Sequence, residues 1–235
     1  MDYNYYIKRW DDHHCSQHVE PFLCGISNIL QSYYKHDPTI YIDIGANVGK
    51  VYDLIKEKSI LNIEKAYLFE GNTKLYSYMK NKYENDHTVS VYNDIILDKI
   101  ININFDDEYI DEQILNNNEY INFGLSKTNH YKNTNQRETA KISDFFNNNG
   151  LLNKKSFIKI DTENSDTLIL KDILSIMDNL LYKPIIEFEI NYSAGGHTAE
   201  FIQTIIDDYS NKYNYKHINI LEMRGDGLLV PNTNE

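Results

Sequence analysis

Arginine is nearly absent from this chain: Arg9, Arg137 and Arg224 stand against twenty lysines in 235 residues. Acidic residues outnumber basic ones, and the formal net charge is −12 at pH 7. That balance argues against non-specific attraction to phosphate backbones or anionic membranes, which needs a positive surface. No apolar run approaches the roughly 20 residues that cross a bilayer, and the mean hydropathy is −0.55. The first fifteen residues are polar and aromatic, without the basic, apolar and small-residue segments of a secretory leader. Cys15 and Cys24 are the only cysteines. Two do not make a disulfide framework, so a reducing, cytoplasmic compartment is expected. Asn, Ile, Lys and Tyr are heavily used, tyrosine 20 times, a bias expected of an AT-rich genome. The asparagine runs at 116–118 and 147–149 therefore carry little functional information.

At this length one large α/β domain or two small ones fit. Residues 1–38 show no clean period and are expected to form short helices covering a domain that runs from 39 to 235. From Thr39 onward, apolar β-branched runs alternate with helical patterns. Strands are expected at 39–44, 64–70, 88–94, 118–126, 156–161 and 185–190, with a closing hairpin at 215–223 and 227–231. Helices are expected at 50–60, 73–84, 167–181 and 197–213, and residues 139–146 start extended and turn helical at Ser143. Asn164 or Ser165 is placed to cap the helix that follows. Alternating strands and helices predict a mostly parallel sheet with helices on both faces, the hairpin adding an antiparallel edge strand.

The most informative segment is Asp43-Ile44-Gly45-Ala46-Asn47-Val48-Gly49, which follows a strand and opens a helix. In doubly wound sheets a nucleotide-like ligand sits at that turn. Gly45 allows a tight turn and close backbone approach, Gly49 allows the helix to pack near the strand, and Asp43 can hold a polar or charged group. It is not a P-loop: three residues rather than four separate the glycines, and Val51, not Ser or Thr, follows Lys50. A dinucleotide fingerprint would have glycine where Asn47 stands. Glu70 ends the second strand, 25 residues after Gly45, where an acidic side chain meets a ribose diol in such folds. Asp161 and Glu163 cluster at the carboxyl end of a central strand, the functional edge of an open α/β sheet. Charges favoured by a helix N-terminus are the plainer explanation of that pair.

Taken together, YIDIGANVG (41–49), AYLFEGN (66–72), NFGLS (122–126), TAKISDFF (139–146), FIKIDTENSDTLILKDI (157–173) and PIIEFEI (184–190) resemble the FkbM family of S-adenosylmethionine-dependent methyltransferases. The resemblance implies a class I, Rossmann-like methyltransferase fold with a seven-stranded sheet and S-adenosylmethionine as cofactor. It also implies that Asp43, Gly45, Asn47 and Gly49 surround the methionine part, that Glu70 holds the ribose, and that Asn93 or Asp94 lies near the adenine. The acceptor it implies is a hydroxyl of a sugar, a glycan or another small molecule. Two positions depart from the family pattern. Gly71 replaces the proline that follows the ribose-binding Glu, and Glu163-Asn164-Ser165-Asp166 replaces Glu-Gly-Ala-Glu.

Methyl transfer to a hydroxyl needs alignment, exclusion of water and a base for the proton. Asp161 is the first candidate by position. Glu163 is beside it, and His197, in the glycine-containing loop after strand 185–190, is another. Glu187 and Glu189 are expected on opposite faces of their strand, one reaching the acceptor pocket. His13, His14, Cys15, His18 and Cys24 match no standard zinc spacing, and no metal is expected. Two other readings are RNA ribose methylation, with a set built from Asp161, Lys183, Glu189 and an N-terminal lysine, and a degenerate domain that only binds. The acidic balance speaks against RNA.

Overall fold

The computed structural model describes residues 19–106, 134–162, 165–189, 199–221 and 226–232. Its centre is a seven-stranded sheet in the order β3-β2-β1-β7-β8-β10-β9. In chain order β1 is Thr39–Ile44, β2 Ile63–Phe69, β3 Val89–Tyr92, β7 Ser156–Ile160, β8 Ile185–Glu189, β9 Tyr215–Leu221 and β10 Asp226–Pro231. Strands β3, β2, β1, β7 and β8 pair in parallel, and β10 runs antiparallel between β8 and β9. The closing hairpin thus supplies the antiparallel strand at that edge. The chain leaves β1 towards β2 on one side and reaches β7 on the other, so the strand order reverses between β1 and β7. Ligands of open α/β sheets bind outside the carboxyl ends of the strands at such a point.

Strands β1 and β7 are buried along their whole length, which is why they read as continuous apolar runs rather than alternating ones. One face carries Ile42, Ile44, Ile158, Ile160, Ile186 and Phe188, and packs against the last three helices. These are α4 (Ile142–Asn148), α5 (Asp166–Leu174) and α6 (Ala199–Tyr213). The other face carries Tyr41, Phe157, Ile185 and Leu228. It is covered by α1 (Val19–Tyr34) and α2 (Lys50–Glu57), with Met79 of α3 (Thr73–Lys82) in the same cluster. Over the described part of the first forty residues the expected short helices are replaced by this single 16-residue helix. Its buried face is Ile26, Leu30 and Tyr34, spaced one turn apart. Tyr34 hydroxyl donates to Ser156 carbonyl and accepts from Ile185 N–H at 3.0 Å, tying the helix to the start of β7 and β8.

Two further departures have local causes. The stretch from Ile95 onward holds a second sheet, ordered β4-β6-β5, from Ile95–Ile96, Thr134–Ala140 and Asn102–Asp106. Asn and charged residues mask its period, and the expected strand at 118–126 lies outside the described residues. The helix expected over 167–181 ends at Leu174 and resumes as a 3-10 turn at Met177–Asn179. Ser175 Oγ there donates to Asp172 carbonyl at 2.6 Å, one of the local bonds with which serine competes against a continuing helix.

Asp172 of α5 also completes the start of α4. Lys141 caps that helix without a side-chain bond. Ser143 N–H and hydroxyl donate instead to the Asp172 carboxylate at 2.8 and 2.7 Å, and Lys141 ammonium lies 3.3 Å away. Asp172→Ala leaves an orphan helix-terminal N–H and a buried hydroxyl. It is expected to lower stability by about 2–4 kcal/mol, read as a lower urea midpoint at unchanged slope.

Candidate functional site

The turn after β1 is built around residues with left-handed backbone. Gly45, Asn47 and Gly49 have φ of 83°, 54° and 74°, and asparagine is among the few side chains that enter this region readily. Gly45 and Ala46 N–H groups both donate to Phe69 carbonyl at 3.0 Å, docking the turn on the end of β2. A Cβ on Gly45 would stand 2.0 Å from Asp161 carbonyl oxygen, so glycine is required by the neighbouring backbone of β7. At Gly49 the same test meets Tyr83 hydroxyl at 2.3 Å. The neighbour that demands glycine there is this tyrosine rather than the strand. Tyr83 hydroxyl lies 2.9 Å from Gly49 carbonyl and 2.8 Å from Asp53 Oδ1, and burial holds it protonated. Lys82 ammonium donates to Val48 carbonyl and Asp53 Oδ2 at 2.9 and 2.6 Å. The end of α3 thereby grips the turn from behind.

Glu70 follows β2 directly. Its Oε2 accepts from Asn47 N–H and its Oε1 from Asn72 N–H, both at 2.8 Å. Burial, helped by the nearby Asp43 charge, raises its pKa to about 7, while the two amides and Lys159 pull it down. A carboxylate offers about four lone-pair positions. Two are used by these amides, so the group retains acceptor capacity for a pair of hydroxyls. Beside it, Asn93 Nδ2 donates to the carbonyls of Glu70 and Gly71 at 2.9 and 3.0 Å. Burial raises the Asp94 pKa and the Arg137 charge opposes the rise.

A row of charge crosses the sheet at its carboxyl end. Asp43 pairs in register with Lys159, and Lys159 with Glu187, on three adjacent strands. All three are buried, Asp43 completely. Lys159 ammonium stands 3.3 Å from Asp43 Oδ1 and 3.2 Å from Asp161 Oδ2. Tyr41 hydroxyl donates to Asp43 Oδ2 at 2.8 Å. Burial pushes the Asp43 carboxyl up, although Lys159 and Tyr41 favour its charged form. Asp161, just past β7, is partly open to solvent and bonded through its N–H to Ile44 carbonyl at 2.9 Å.

The expectation that Glu187 and Glu189 face apart is overturned. Both lie in the unbroken strand β8, where positions two apart share a face, and Phe188 between them enters the opposite core. Ser165 occupies the N-cap position of α5 but makes no side-chain cap bond, and Asn164 lies outside the described residues. Asp166, the first residue of α5, ties the loop after β7 to the end of β8. Its Oδ1 accepts from Thr162 N–H at 3.0 Å and Thr162 hydroxyl at 2.5 Å, and its Oδ2 from Glu189 N–H at 3.0 Å. Burial raises its pKa to about 6. Lys183 precedes β8, at the opposite end of the strands from Asp161, with its ammonium on Tyr213 carbonyl at 2.8 Å. The set imagined for RNA ribose methylation is therefore not assembled with that lysine.

Asp43 is one of the last two residues of β1, and Gly45, Asn47, Gly49, Glu70, Asn93, Asp94 and Asp161 follow the ends of β1, β2, β3 and β7 along the same edge of the sheet. Glu163, Asn164, His197, His13, His14, Cys15 and His18 lie outside the described residues, as does the side chain of Cys24. Among the described residues no group of three or more His, Cys, Asp or Glu is arranged to hold a metal, and no helix is long and apolar enough to cross a membrane. Lys159, Tyr83, Asp166 and Arg137 were not foreseen. Only Lys159 carried a signal, since alternation places it on the same face as Asp161.

Comparison with known proteins adds a family. Residues 43–216 match the model of the methyltransferase FkbM domain. No curated protein matches the sequence significantly. Among solved structures, methyltransferase FkbM from Methylobacillus flagellatus KT superposes with a TM-score of 0.50 at 12% identity, over 96% of this chain and 58% of that one. This chain therefore spans little more than half the length of that protein, and the likeness is one of fold. TrmK of M. capricolum, in complex with S-adenosyl-homocysteine, gives 0.44 at 13% identity over 95% and 70% of the two chains.

Proposed function

The chain belongs to the methyltransferase FkbM domain family, and on that premise we propose that it is an S-adenosylmethionine-dependent O-methyltransferase whose acceptor is a sugar or glycan hydroxyl. The observation that carries this reading is Glu70, both of whose carboxylate oxygens are aimed by backbone N–H groups beside the glycine turn. A fixed bidentate acceptor next to a turn that admits close backbone approach suits a ribose diol. Asp43, Gly45, Asn47 and Gly49 would flank the methionine part, and Asn93 with Asp94 the adenine. The cofactor, when bound, supplies an electrophilic methyl group.

The protein's own part is positioning and proton removal. The Asp161 carboxylate lies just past β7, partly open to solvent, and Lys159 at 3.2 Å orients it. In this reading Asp161 takes the acceptor hydroxyl's proton, with Glu163 and His197 as further candidates by their sequence positions after β7 and β8. The acidic charge balance supports a neutral acceptor over a nucleic acid.

Calorimetric titration with S-adenosylmethionine and S-adenosylhomocysteine tests the reading. The wild type is expected to bind both, and Glu70→Ala to lose most of the affinity. A folded wild type that binds neither sinks the enzyme reading. The pH dependence is a second signature. Ribose hydroxyls donate to the ionised carboxylate, whose pKa is about 7. Affinity is therefore expected to rise about tenfold between about pH 6 and pH 8. Ligand-free stability follows the opposite sign. A raised folded pKa contributes stability that is full below about 4.5 and is lost as pH rises through about 7. Both trends should flatten in Glu70→Gln.

A further inference from the structure

Arg137 is the only arginine among the described residues of a chain with twenty lysines. It stands on β6 of the small second sheet, on the same side of that strand as buried Thr139. Its side chain reaches across to the main sheet. Nη1 donates to Gly71 carbonyl and Nη2 to Asn93 carbonyl. Those two carbonyls belong to different loops, the one after β2 and the one after β3. Asn93 Nδ2 bridges the same loops through Glu70 and Gly71 carbonyls, and Glu70 N–H donates to Tyr92 carbonyl at 3.0 Å. Asn93 supplies a bridge within the wall, and Arg137 clasps the wall from outside. A planar fork holds two carbonyls at a set separation, which an ammonium, a single point of charge, does poorly.

We propose that Arg137 is a positioning residue that latches the β2 and β3 loops at the separation needed to enclose the nucleoside half of the cofactor, making the second sheet a brace for that half of the site. The inference rests on the cofactor reading above. Glu70 and Asn72, whose N–H holds the carboxylate, flank latched Gly71, and Asp94 follows latched Asn93. Without the fork the loops can separate, and the carboxylate loses its fixed relation to the adenine side. The methionine half, around the turn of residues 45–49, is held separately by Phe69, Tyr83 and Lys82.

The test titrates wild type, Arg137→Ala and Arg137→Lys with S-adenosylhomocysteine and with 5′-methylthioadenosine, which shares the nucleoside but lacks the amino-acid end. Arg137→Ala is expected to weaken both ligands by the same factor, about tenfold or more. The melting temperature of the ligand-free protein should stay near that of wild type. Non-denaturing guanidinium chloride, but not equal sodium chloride, should restore part of the affinity, because the ion can refill the fork's place. Arg137→Lys should lie between. Binding of both ligands at wild-type strength by either folded variant overturns the latch. So does an affinity loss that guanidinium leaves untouched and that follows a lowered melting temperature, which marks a purely structural role. If Arg137→Ala does not fold, Arg137→Lys carries the comparison. A wild type that binds neither ligand sinks the cofactor reading itself, and the latch with it; a defect confined to the variants concerns Arg137 alone.

Discussion

Gly45→Ala is expected to cost more than about 4 kcal/mol and to leave little folded protein. Two penalties add. An L side chain at φ 83° is strained, at about 1–3 kcal/mol. The new Cβ would stand 2.0 Å from Asp161 carbonyl oxygen and 2.8 Å from its carbon, and both atoms are backbone, so no rotamer change relieves the contact. Relief requires spreading β1 from β7, the two central strands, where Asp161 N–H donates to Ile44 carbonyl at 2.9 Å. Urea unfolding of whatever soluble protein is recovered measures the loss. A variant with a wild-type midpoint would mean that the turn moves independently of β7, contrary to this geometry. Gly150 is the internal control. It also has positive φ, 66°, but a Cβ there meets nothing within 4 Å, so alanine should cost only the backbone strain.

Lys159→Met should destabilise the protein by about 3–5 kcal/mol at neutral pH. The substitution keeps an unbranched four-atom stem and removes the ammonium that stands 3.3 Å from Asp43 and 3.2 Å from Asp161. Asp43 is fully buried, and Glu187 lies in the same row. An uncompensated carboxylate in that position is far more costly than the pair was favourable. The pH sign is distinctive. Losing the lysine raises the folded pKa of Asp43 further above the ordinary value near 4. The variant's deficit is therefore largest at neutral and higher pH and shrinks as pH falls towards that value. Asp43→Asn in the same background should recover part of the loss. A deficit independent of pH would assign the effect to packing instead of charge.

Much of the architecture was readable from short stretches. Strands β1 and β7 are recognisable because burial on both faces leaves mostly apolar runs of five or six residues, each carrying a single charge. Gly45 and Glu70 are recognisable because turn chemistry and strand ends set their spacing. The second sheet was not, since β5 and β6 are polar strands whose pairing, Asn102 with Glu138 and Ile103 with Arg137, joins segments far apart in sequence. The side-chain bonds around the start of α5 were not readable for a related reason. Ser165 stands at the cap position without a side-chain bond, while the Asp166 carboxylate joins Thr162 to Glu189, which lies 23 residues beyond Asp166 along the chain.

The sequence by itself determined the order of elements around the main sheet, the fold class and the turn after β1, because periodicity and backbone preference act over a few residues. It also placed Asp43, Glu70, Asn93, Asp94 and Asp161 at strand ends. Only the tertiary structure decided which of these charges meet. The lateral register of β1, β7 and β8 brings Asp43, Lys159 and Glu187 into one buried row, and the second sheet carries Arg137 to the loops after β2 and β3. Register and sheet docking are set by the packing of whole faces across more than a hundred residues. The chemistry of a carboxylate, in turn, depends on the desolvation and partners that this packing imposes.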